Sequence, residues 1–313
     1  MPVFLARVGA SDASLELNVT HSPDVREESV FVEANGVRLH VRLAGEGYPL
    51  ILLHGWPQTS YCWRRLVPLL APHFRVIAPD LRGFGDSDKP DGTYDKRTVA
   101  TDILDMAKVL GYADALVAGH DIGGRVAYRL ALDHPGFVTG LISLAGRYSP
   151  LGEDLLYSKE QSAERWYFFF HQIAGLPEAL VGGRESIYLA HFYRHWSHHD
   201  DWLSREDLQE YARAYATPGA LRGGFEHYRA ALHADVDQWK QDTGRTISAP
   251  TLVLWGENDP VSPLGWTKGF ESVFTRLDMV VYPECGHFIA EERPLAAAED
   301  ILRFGNRVLS GVA

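Results

Sequence analysis

The feature that most constrains this chain is a series of short apolar segments that alternate with stretches of helical periodicity. Four of these segments contain almost no polar residue: P-L-I-L-L-H-G (49–55), F-R-V-I-A-P-D (74–80), A-L-V-A-G-H (115–120) and G-L-I-S-L-A (140–145). Each is too short for a buried helix, and an unbroken apolar run of this kind is typical of a strand buried on both faces. Because helical patterns at 98–110 and 123–132 lie between them, the sequence predicts an α/β fold with a mostly parallel sheet.

Four more segments predict strands that extend the sheet: S-V-F-V-E-A (29–34), V-R-L-H-V-R-L-A (37–44), T-L-V-L-W-G (251–256) and M-V-V-Y-P (279–283). The turn pair Asn35-Gly36 separates the first two, which predicts an antiparallel hairpin. A last helix is predicted from about Leu295 to Leu309. The expected core is therefore an eight-stranded, mostly parallel sheet with helices on both faces.

A long segment after the sixth predicted strand has a different character. Strand patterns are absent from it, and aromatic-rich helical patterns such as R-W-Y-F-F-F-H-Q (165–172) and L-Q-E-Y-A-R-A-Y (208–215) replace them. The sequence thus predicts an inserted helical cap at 147–246, with a core built from 1–146 and 247–313.

The composition narrows the class of partner. The chain has 313 residues, a formal net charge of -11 and no basic tract, so a nucleic-acid partner is not expected. No segment approaches the roughly 20 apolar residues of a membrane span, and the N-terminal apolar stretch is too short for a signal peptide. The two cysteines, Cys62 and Cys285, are too few for a disulfide framework. We expect a cytoplasmic protein that acts on a small molecule, without a membrane partner.

Polar residues follow four of the predicted strands, in the segments H-G-W-P (54–57), G-H-D-I-G-G (119–124), W-G-E-N-D-P (255–260) and C-G-H-F (285–288). Ligands of open α/β sheets bind at the carboxyl ends of the strands, so we expect these segments to meet at one site. Gly119 and Gly123 flank Asp121 at a strand-to-helix turn, where only small residues let the two elements approach closely. His54 and His120 are expected to be structural.

The order Asp121, Asp259, His287, with glycines beside the first, resembles the α/β-hydrolase fold over essentially the whole chain after about residue 28. The resemblance implies that Asp121 is the nucleophile, that His287 activates a water molecule, and that Asp259 orients His287. The backbone N–H groups of Trp56 and Ile122 are the candidate donors to the tetrahedral intermediate, as an oxyanion hole.

A carboxylate at the nucleophile position restricts the chemistry. By attacking a saturated carbon, Asp121 would form an alkyl ester that water can hydrolyse, which divides one difficult displacement into two steps. By attacking an acyl carbon it would form an anhydride, with no evident gain. Epoxides and carbon–halogen bonds are therefore the expected electrophiles.

Segments of the predicted cap narrow the resemblance. Three features, the aspartate nucleophile, the motif H-G-x-P and the segment G-F-E-H-Y-R (224–229), together resemble those of epoxide hydrolases and haloacetate dehalogenases. The resemblance is closest to the Cif-type epoxide hydrolases. In that group a tyrosine of the Y-R pair donates to the departing oxygen or halide, which implies Tyr228. When this chain is aligned with that group on the segment P-E-A-L-V-G-G-R-E (177–185), the second donor of the group corresponds to Trp166. An indole N–H can donate a hydrogen bond but cannot deliver a proton. The adjacent Tyr167 is the alternative.

Two departures from these groups bear on the substrate. Haloacetate dehalogenases pair an arginine directly after the nucleophile with another three residues on, and both bind the substrate carboxylate. Here Ile122 takes the first place and only Arg125 matches, so Arg125 is expected either to bind substrate or to be structural. In Cif-type and haloacetate enzymes the acidic residue that orients the histidine follows the sixth strand, where this chain has Ala145. Here Asp259, which follows the seventh predicted strand, is the expected acid.

The leading hypothesis is an epoxide hydrolase that forms a vicinal diol through an aspartyl alkyl ester. A haloacid or haloalkane dehalogenase that uses Asp121 is the alternative, and a hydrolase-fold receptor is less favoured because a binding protein would not need His287. The cluster H-W-S-H-H-D-D (195–201) lacks the ligand spacing of a catalytic metal site, so no metal or other cofactor is expected. The sequence leaves the oligomeric state open, with a homodimer among the alternatives.

Overall fold

One mixed sheet forms the centre of the protein, for which the computed structural model describes residues 7–8, 25–148 and 165–311. Its strands in chain order are β1 (Arg7–Val8), β2 (Glu27–Ala34), β3 (Val37–Ala44), β4 (Pro49–Leu53), β5 (Arg75–Pro79), β6 (Ala115–His120), β7 (Val138–Leu144), β8 (Thr251–Gly256) and β9 (Leu277–Tyr282). They lie side by side in the order β1-β9-β8-β7-β6-β4-β5-β3-β2. All neighbours are parallel except β2 with β3 and β3 with β5. The predicted fold class is confirmed.

The burial of each strand explains its sequence. Every residue of β4, β6 and β8 is buried, which is why these segments are apolar without interruption. The edge strand β2 instead ends in alternating exposed and buried residues. Asn35 and Gly36 both have positive φ, 49° and 74°, as a two-residue hairpin turn requires, and Ala34 pairs with Val37 across it.

All eight predicted strands are present, and β1 is an addition to them. Arg7 and Val8 pair in parallel with Val280 and Val281, so β1 forms the edge of the sheet beside β9. A strand of two residues has no periodicity, and the sequence therefore does not predict it.

The α-helices of the described residues are α1 (Val67–Leu70), α2 (Lys96–Val109), α3 (Ile122–Asp133), α4 (Trp166–Phe170), α5 (Leu176–Val181), α6 (Glu185–Trp196), α7 (Arg205–Tyr215), α8 (Ala220–Leu232), α9 (Ala234–Gln241), α10 (Ile289–Glu292) and α11 (Pro294–Leu309). Asp95 caps α2 by accepting the Thr98 N–H at 3.1 Å. A capping box of Ser204 and Asp207 begins α7. α3 packs against β6 and β7, and α11 against β7 and β8, so both helices cover buried strands.

Helices α4 to α9 lie between β7 and β8 in the chain, where the cap is predicted. From residue 165 to Gln241 this segment is helical, with turns and no strand. The predicted bounds of 147 and 246 stay a prediction, because residues 149–164 lie outside the described residues. Within the described ranges, no helix has the length and apolar character needed to cross a bilayer.

Candidate active site

Asp121 lies in a tight turn between β6 and α3. Its backbone has φ 48° and ψ -112°, an uncommon conformation for a residue with a side chain. A Cβ added to Gly119 would lie 2.3 Å from the Gly123 carbonyl oxygen, and one added to Gly123 would lie 2.1 Å from that of Leu53. The two glycines therefore let β6, α3 and β4 approach closely, which holds Asp121 at the carboxyl edge of the sheet.

The two oxygens of the Asp121 carboxylate have different surroundings. Oδ2 accepts the backbone N–H of Trp56 at 3.2 Å, and Oδ1 accepts no hydrogen bond from a described residue. Ile122 is the first residue of α3, so its N–H has no partner within the helix. No hydrogen bond joins that N–H to the carboxylate in the described part of the chain, and Ile122 stays a prediction as the second donor. Oδ1 is thus the oxygen available for attack.

Asp259 and His287 form the hydrogen-bonded pair that the residue order predicts. His287 Nδ1 lies 2.8 Å from Asp259 Oδ2, and both side chains are fully buried. Asp259 Oδ1 accepts the backbone N–H groups of Val261 and Ser262 at 2.8 and 2.9 Å, which fixes the carboxylate. Since a carboxylate accepts, Nδ1 carries the proton and donates it. Nε2 is buried and has no hydrogen-bond partner among the described residues, so its lone pair can take a proton from water.

The charges around His287 favour its protonated form. Burial by itself lowers the pKa of the imidazole, but the charge and hydrogen bond of Asp259, with the charge of Asp121, raise it above the ordinary value. The site therefore stabilises the imidazolium that forms when His287 accepts a proton.

His54 and His120 have the structural contacts expected of them. His54 Nδ1 donates to the Gly55 carbonyl at 3.1 Å, and its Nε2 accepts the Leu81 N–H at 3.0 Å. His120 Nε2 donates to the His287 carbonyl at 2.9 Å. Burial lowers the pKa of both imidazoles, so they stay neutral and position the loops that carry the site.

A cavity extends from Asp121 toward the inserted helices. Its wall includes Ile122 and Arg125 from α3, together with Tyr167 and Tyr228 from α4 and α8. The rings of the two tyrosines lie 5.8 Å apart at an angle of 90°. Burial raises the pKa of Tyr228 well above its usual value, and Tyr167 and the charge of Asp121 add to the effect. The Tyr228 phenol is therefore protonated and can donate.

The structure separates the two sequence candidates for the second donor, Trp166 and Tyr167, by their burial. Trp166 is 40% exposed and lines a neighbouring groove but not the cavity that contains Asp121, whereas Tyr167 is 4% exposed and lines both. The reason is the phase of α4, because successive residues of a helix point about 100° apart. The role of second donor therefore stays a prediction for Tyr167, the alternative candidate.

An aromatic cluster joins the sheet edge to the inserted helices. The buried ring of Trp56 stacks on Tyr167 with centroids 5.8 Å apart, and lies 5.3 Å from Tyr228 and 5.6 Å from Trp196. Trp196 also lines the cavity, packs 5.5 Å from the His287 ring and accepts the His287 backbone N–H at 2.8 Å. Sequence reasoning missed Trp196, because no spacing distinguishes it within the histidine-rich segment.

The described residues bring together one group of three potential metal ligands, His40, Asp80 and Asp86, away from the cavity. Asp80 already bonds the His40 ring at 2.8 Å and accepts the backbone N–H groups of Ser60 and Asp86 at 2.8 and 3.0 Å. These contacts hold the loop after β5. The cluster at 195–201 does not form such a group in the described structure.

Comparisons with known proteins agree with this fold. A soluble epoxide hydrolase from Corynebacterium sp. (strain C12) is 36% identical over 283 residues, 86% of this chain and 94% of that protein. A fluoroacetate dehalogenase from Burkholderia sp. is 33% identical over 237 residues, 73% and 77% of the two chains. The crystal structure of Cfl2 from Burkholderia cenocepacia superimposes with a TM-score of 0.83 at 33% identity, over 90% of this chain and 99% of that one. The α/β-hydrolase fold family matches residues 48–294, and the chain therefore belongs to this family.

Proposed function

We propose that this protein hydrolyses an epoxide to a vicinal diol, with Asp121 as the nucleophile. The observation that carries the proposal is one cavity lined by the Asp121 carboxylate and by two buried phenols, Tyr167 and Tyr228. The oxygen that leaves an epoxide carbon needs a proton, which a phenol can give and which a departing halide does not require. The similarity to a soluble epoxide hydrolase from Corynebacterium supports this choice.

In the first step, Asp121 Oδ1 attacks a ring carbon while that carbon's bond to the epoxide oxygen breaks. The Trp56 N–H holds Oδ2, so the carboxylate is oriented before the attack. The freed oxygen takes a proton from the phenol of Tyr228 or Tyr167. The product of this step is a hydroxyalkyl ester of Asp121.

In the second step, His287 Nε2 removes a proton from water, and the resulting hydroxide attacks the Asp121 carboxyl carbon. The Trp56 N–H stabilises the tetrahedral oxyanion, and Ile122 is the expected second donor. The bond from the carboxyl carbon to Oδ1 then breaks, and Oδ1 takes the proton that the attacking hydroxide carried. Oδ1 thus leaves in the diol, and the water oxygen stays in the Asp121 carboxylate. His287 returns its proton to the tyrosine. Neither of these two chemical steps requires a metal or an organic cofactor.

The inserted helices supply both phenols, and we propose that residues 147–246 act as a cap that completes the site. Trp56 ties that layer to the sheet, since its ring contacts Tyr167 and Tyr228 while its backbone binds Asp121. The cap thereby places the acids over the carboxylate.

A dehalogenase is the second candidate, because Arg125 lines the cavity one helical turn beyond Asp121 and the Burkholderia relative is a fluoroacetate dehalogenase. The test is product analysis of the purified chain with a terminal epoxide and, separately, with fluoroacetate. The proposal expects diol from the first and no fluoride from the second. Fluoride release without diol formation would refute it.

Replacing either phenol is expected to slow ring opening. Tyr228→Phe and Tyr167→Phe should each lower kcat/KM for a terminal epoxide by about 10²-fold, since each removes a donor to the developing oxyanion. Trp166→Phe is the matched control, because it changes the adjacent but exposed side chain, and should stay within about twofold of wild type. Initial rates of diol formation measure all three. A loss in Trp166→Phe as large as that in Tyr167→Phe would contradict the placement of α4.

A further inference from the structure

The cavity wall has an unusual charge for a chain with a net charge of -11. It is lined by the cationic side chains of Lys96, Arg125, Arg147 and Arg165, and Asp121 is the only acidic residue among the described residues that line it. A cavity lined by side chains of this sign favours an anionic ligand.

Lys96 and Arg125 differ in whether a described acidic residue neutralises their charge. Lys96 is buried and forms an ion pair with Asp235 at 2.9 Å, so its charge is neutralised within the fold. Arg125 has no ion pair with any described residue, and its Nε is buried without a hydrogen-bond partner. A buried guanidinium nitrogen left without a partner is unfavourable, and a bound anion would satisfy it. Arg125 follows Asp121 by one turn of α3, so that anion would lie near the nucleophile.

Arg147 and Arg165 come from different parts of the chain, but both guanidinium groups contact the ring of Trp266. Their guanidinium carbons are 4.3 and 4.2 Å from the centroid of Trp266, which also lines the cavity. Arg147 follows β7, Arg165 precedes α4, and Trp266 follows the Asp259 loop. A guanidinium stacked on an indole keeps its N–H groups in the plane of its own fork, where they suit a carboxylate. Arg165 also donates one N–H to the Val261 carbonyl at 3.2 Å, so this bond and the Trp266 ring together orient its guanidinium.

We propose that the substrate epoxide carries a carboxylate, which Arg125, Arg147 and Arg165 bind while Asp121 attacks the ring. The inference rests on the proposed function and names its substrate class. It differs from the paired arginines of haloacetate dehalogenases, because Ile122 takes one of those positions and the additional cations lie after β7 and before α4. The arrangement suits an anion that is separate from the reacting carbon and lies toward Trp266.

The test compares an anionic epoxide with its neutral isostere. Wild-type protein should hydrolyse 5,6-epoxyhexanoate with a kcat/KM at least about tenfold above that of 5,6-epoxyhexanamide, because charge-assisted hydrogen bonds are stronger than neutral ones. Arg165→Gln and Arg147→Gln should each reduce this ratio several-fold, and Arg165→Lys should retain part of it. Arg194→Gln is the matched control, since Arg194 lies on α6 with its side chain 60% exposed, and should leave the ratio unchanged. Thermal midpoints check that each variant is folded.

Each outcome separates the inference from the function. Equal hydrolysis of the acid and the amide by wild type would overturn the carboxylate site and leave the epoxide hydrolase intact, whereas hydrolysis of neither would count against the function itself. A preference that survives in Arg147→Gln, Arg165→Gln and the double variant would also overturn the inference. Faster turnover of an epoxide with a phosphonate in place of the carboxylate would overturn the choice of anion.

Discussion

Replacement of His287 with glutamine is expected to stop the enzyme after one chemical event and to trap it as an ester. In the proposed mechanism the imidazole Nε2 acts only in the second step, so Asp121 should still open the epoxide and form the hydroxyalkyl ester. Loss of a general base lowers the rate of a step by as much as about 10⁴-fold, so steady-state diol formation should fall by that order. The intact protein should gain the full mass of one epoxide molecule, as measured by mass spectrometry.

The trapped species also separates the candidate functions. A haloacid would add its mass less that of hydrogen halide, and a binding protein would add nothing. Asp259→Asn is the companion variant, because it leaves the imidazole in place but removes the charge that holds its tautomer. It should slow ester hydrolysis less than His287→Gln does. A His287→Gln protein that turns over at the wild-type rate would contradict the role of His287.

Replacement of Asp121 with alanine should abolish both steps. In the proposed mechanism the side chain supplies the attacking oxygen and the carbonyl that water later attacks, and nothing else in the described cavity wall is a carboxylate. Removal of a nucleophile typically costs roughly 10⁴-fold or more in kcat, which corresponds to at least about 5 kcal/mol of transition-state stabilisation. Diol formation should fall to the limit of detection, and no adduct should form with any epoxide.

The double variant Asp121→Asn/His287→Gln is the control for adduct formation. Asparagine preserves the volume of the side chain at position 121, so the turn between β6 and α3 stays folded, while the asparagine amide is a poor nucleophile. An adduct that persists in this variant would place the nucleophile elsewhere. Unchanged thermal midpoints in Asp121→Asn would show that the loss is chemical and not structural.

The sheet and the three strand-end residues could be predicted because each depends on local pattern. An uninterrupted apolar segment predicts a strand that is buried on both faces, and parallel strands bring their carboxyl ends to one edge of the sheet. Asp121, Asp259 and His287 follow three such strands, so their meeting depends on topology alone. The hydrogen bond between Asp259 and His287 follows from this strand order.

The cavity wall depends on contacts that local pattern does not contain. The choice between Trp166 and Tyr167 is set by the rotation of α4, which packing on Trp56 decides. Arg147, Arg165 and Trp266 are distant in sequence. They meet because the start of α4 packs beside the end of β7 and the loop after Asp259. The sequence predicts the nucleophile, therefore, but does not predict how the cavity selects its substrate.

The central claim is that Asp121 bonds covalently to substrate in every turnover, and single-turnover hydrolysis in heavy-oxygen water tests it most directly. With the protein in excess over epoxide, the account predicts that the diol carries ordinary oxygen from Asp121 and that a peptide containing Asp121 gains one heavy oxygen. Heavy oxygen in the diol at the first turnover, with none in that peptide, would contradict it, because water would then have attacked the epoxide directly.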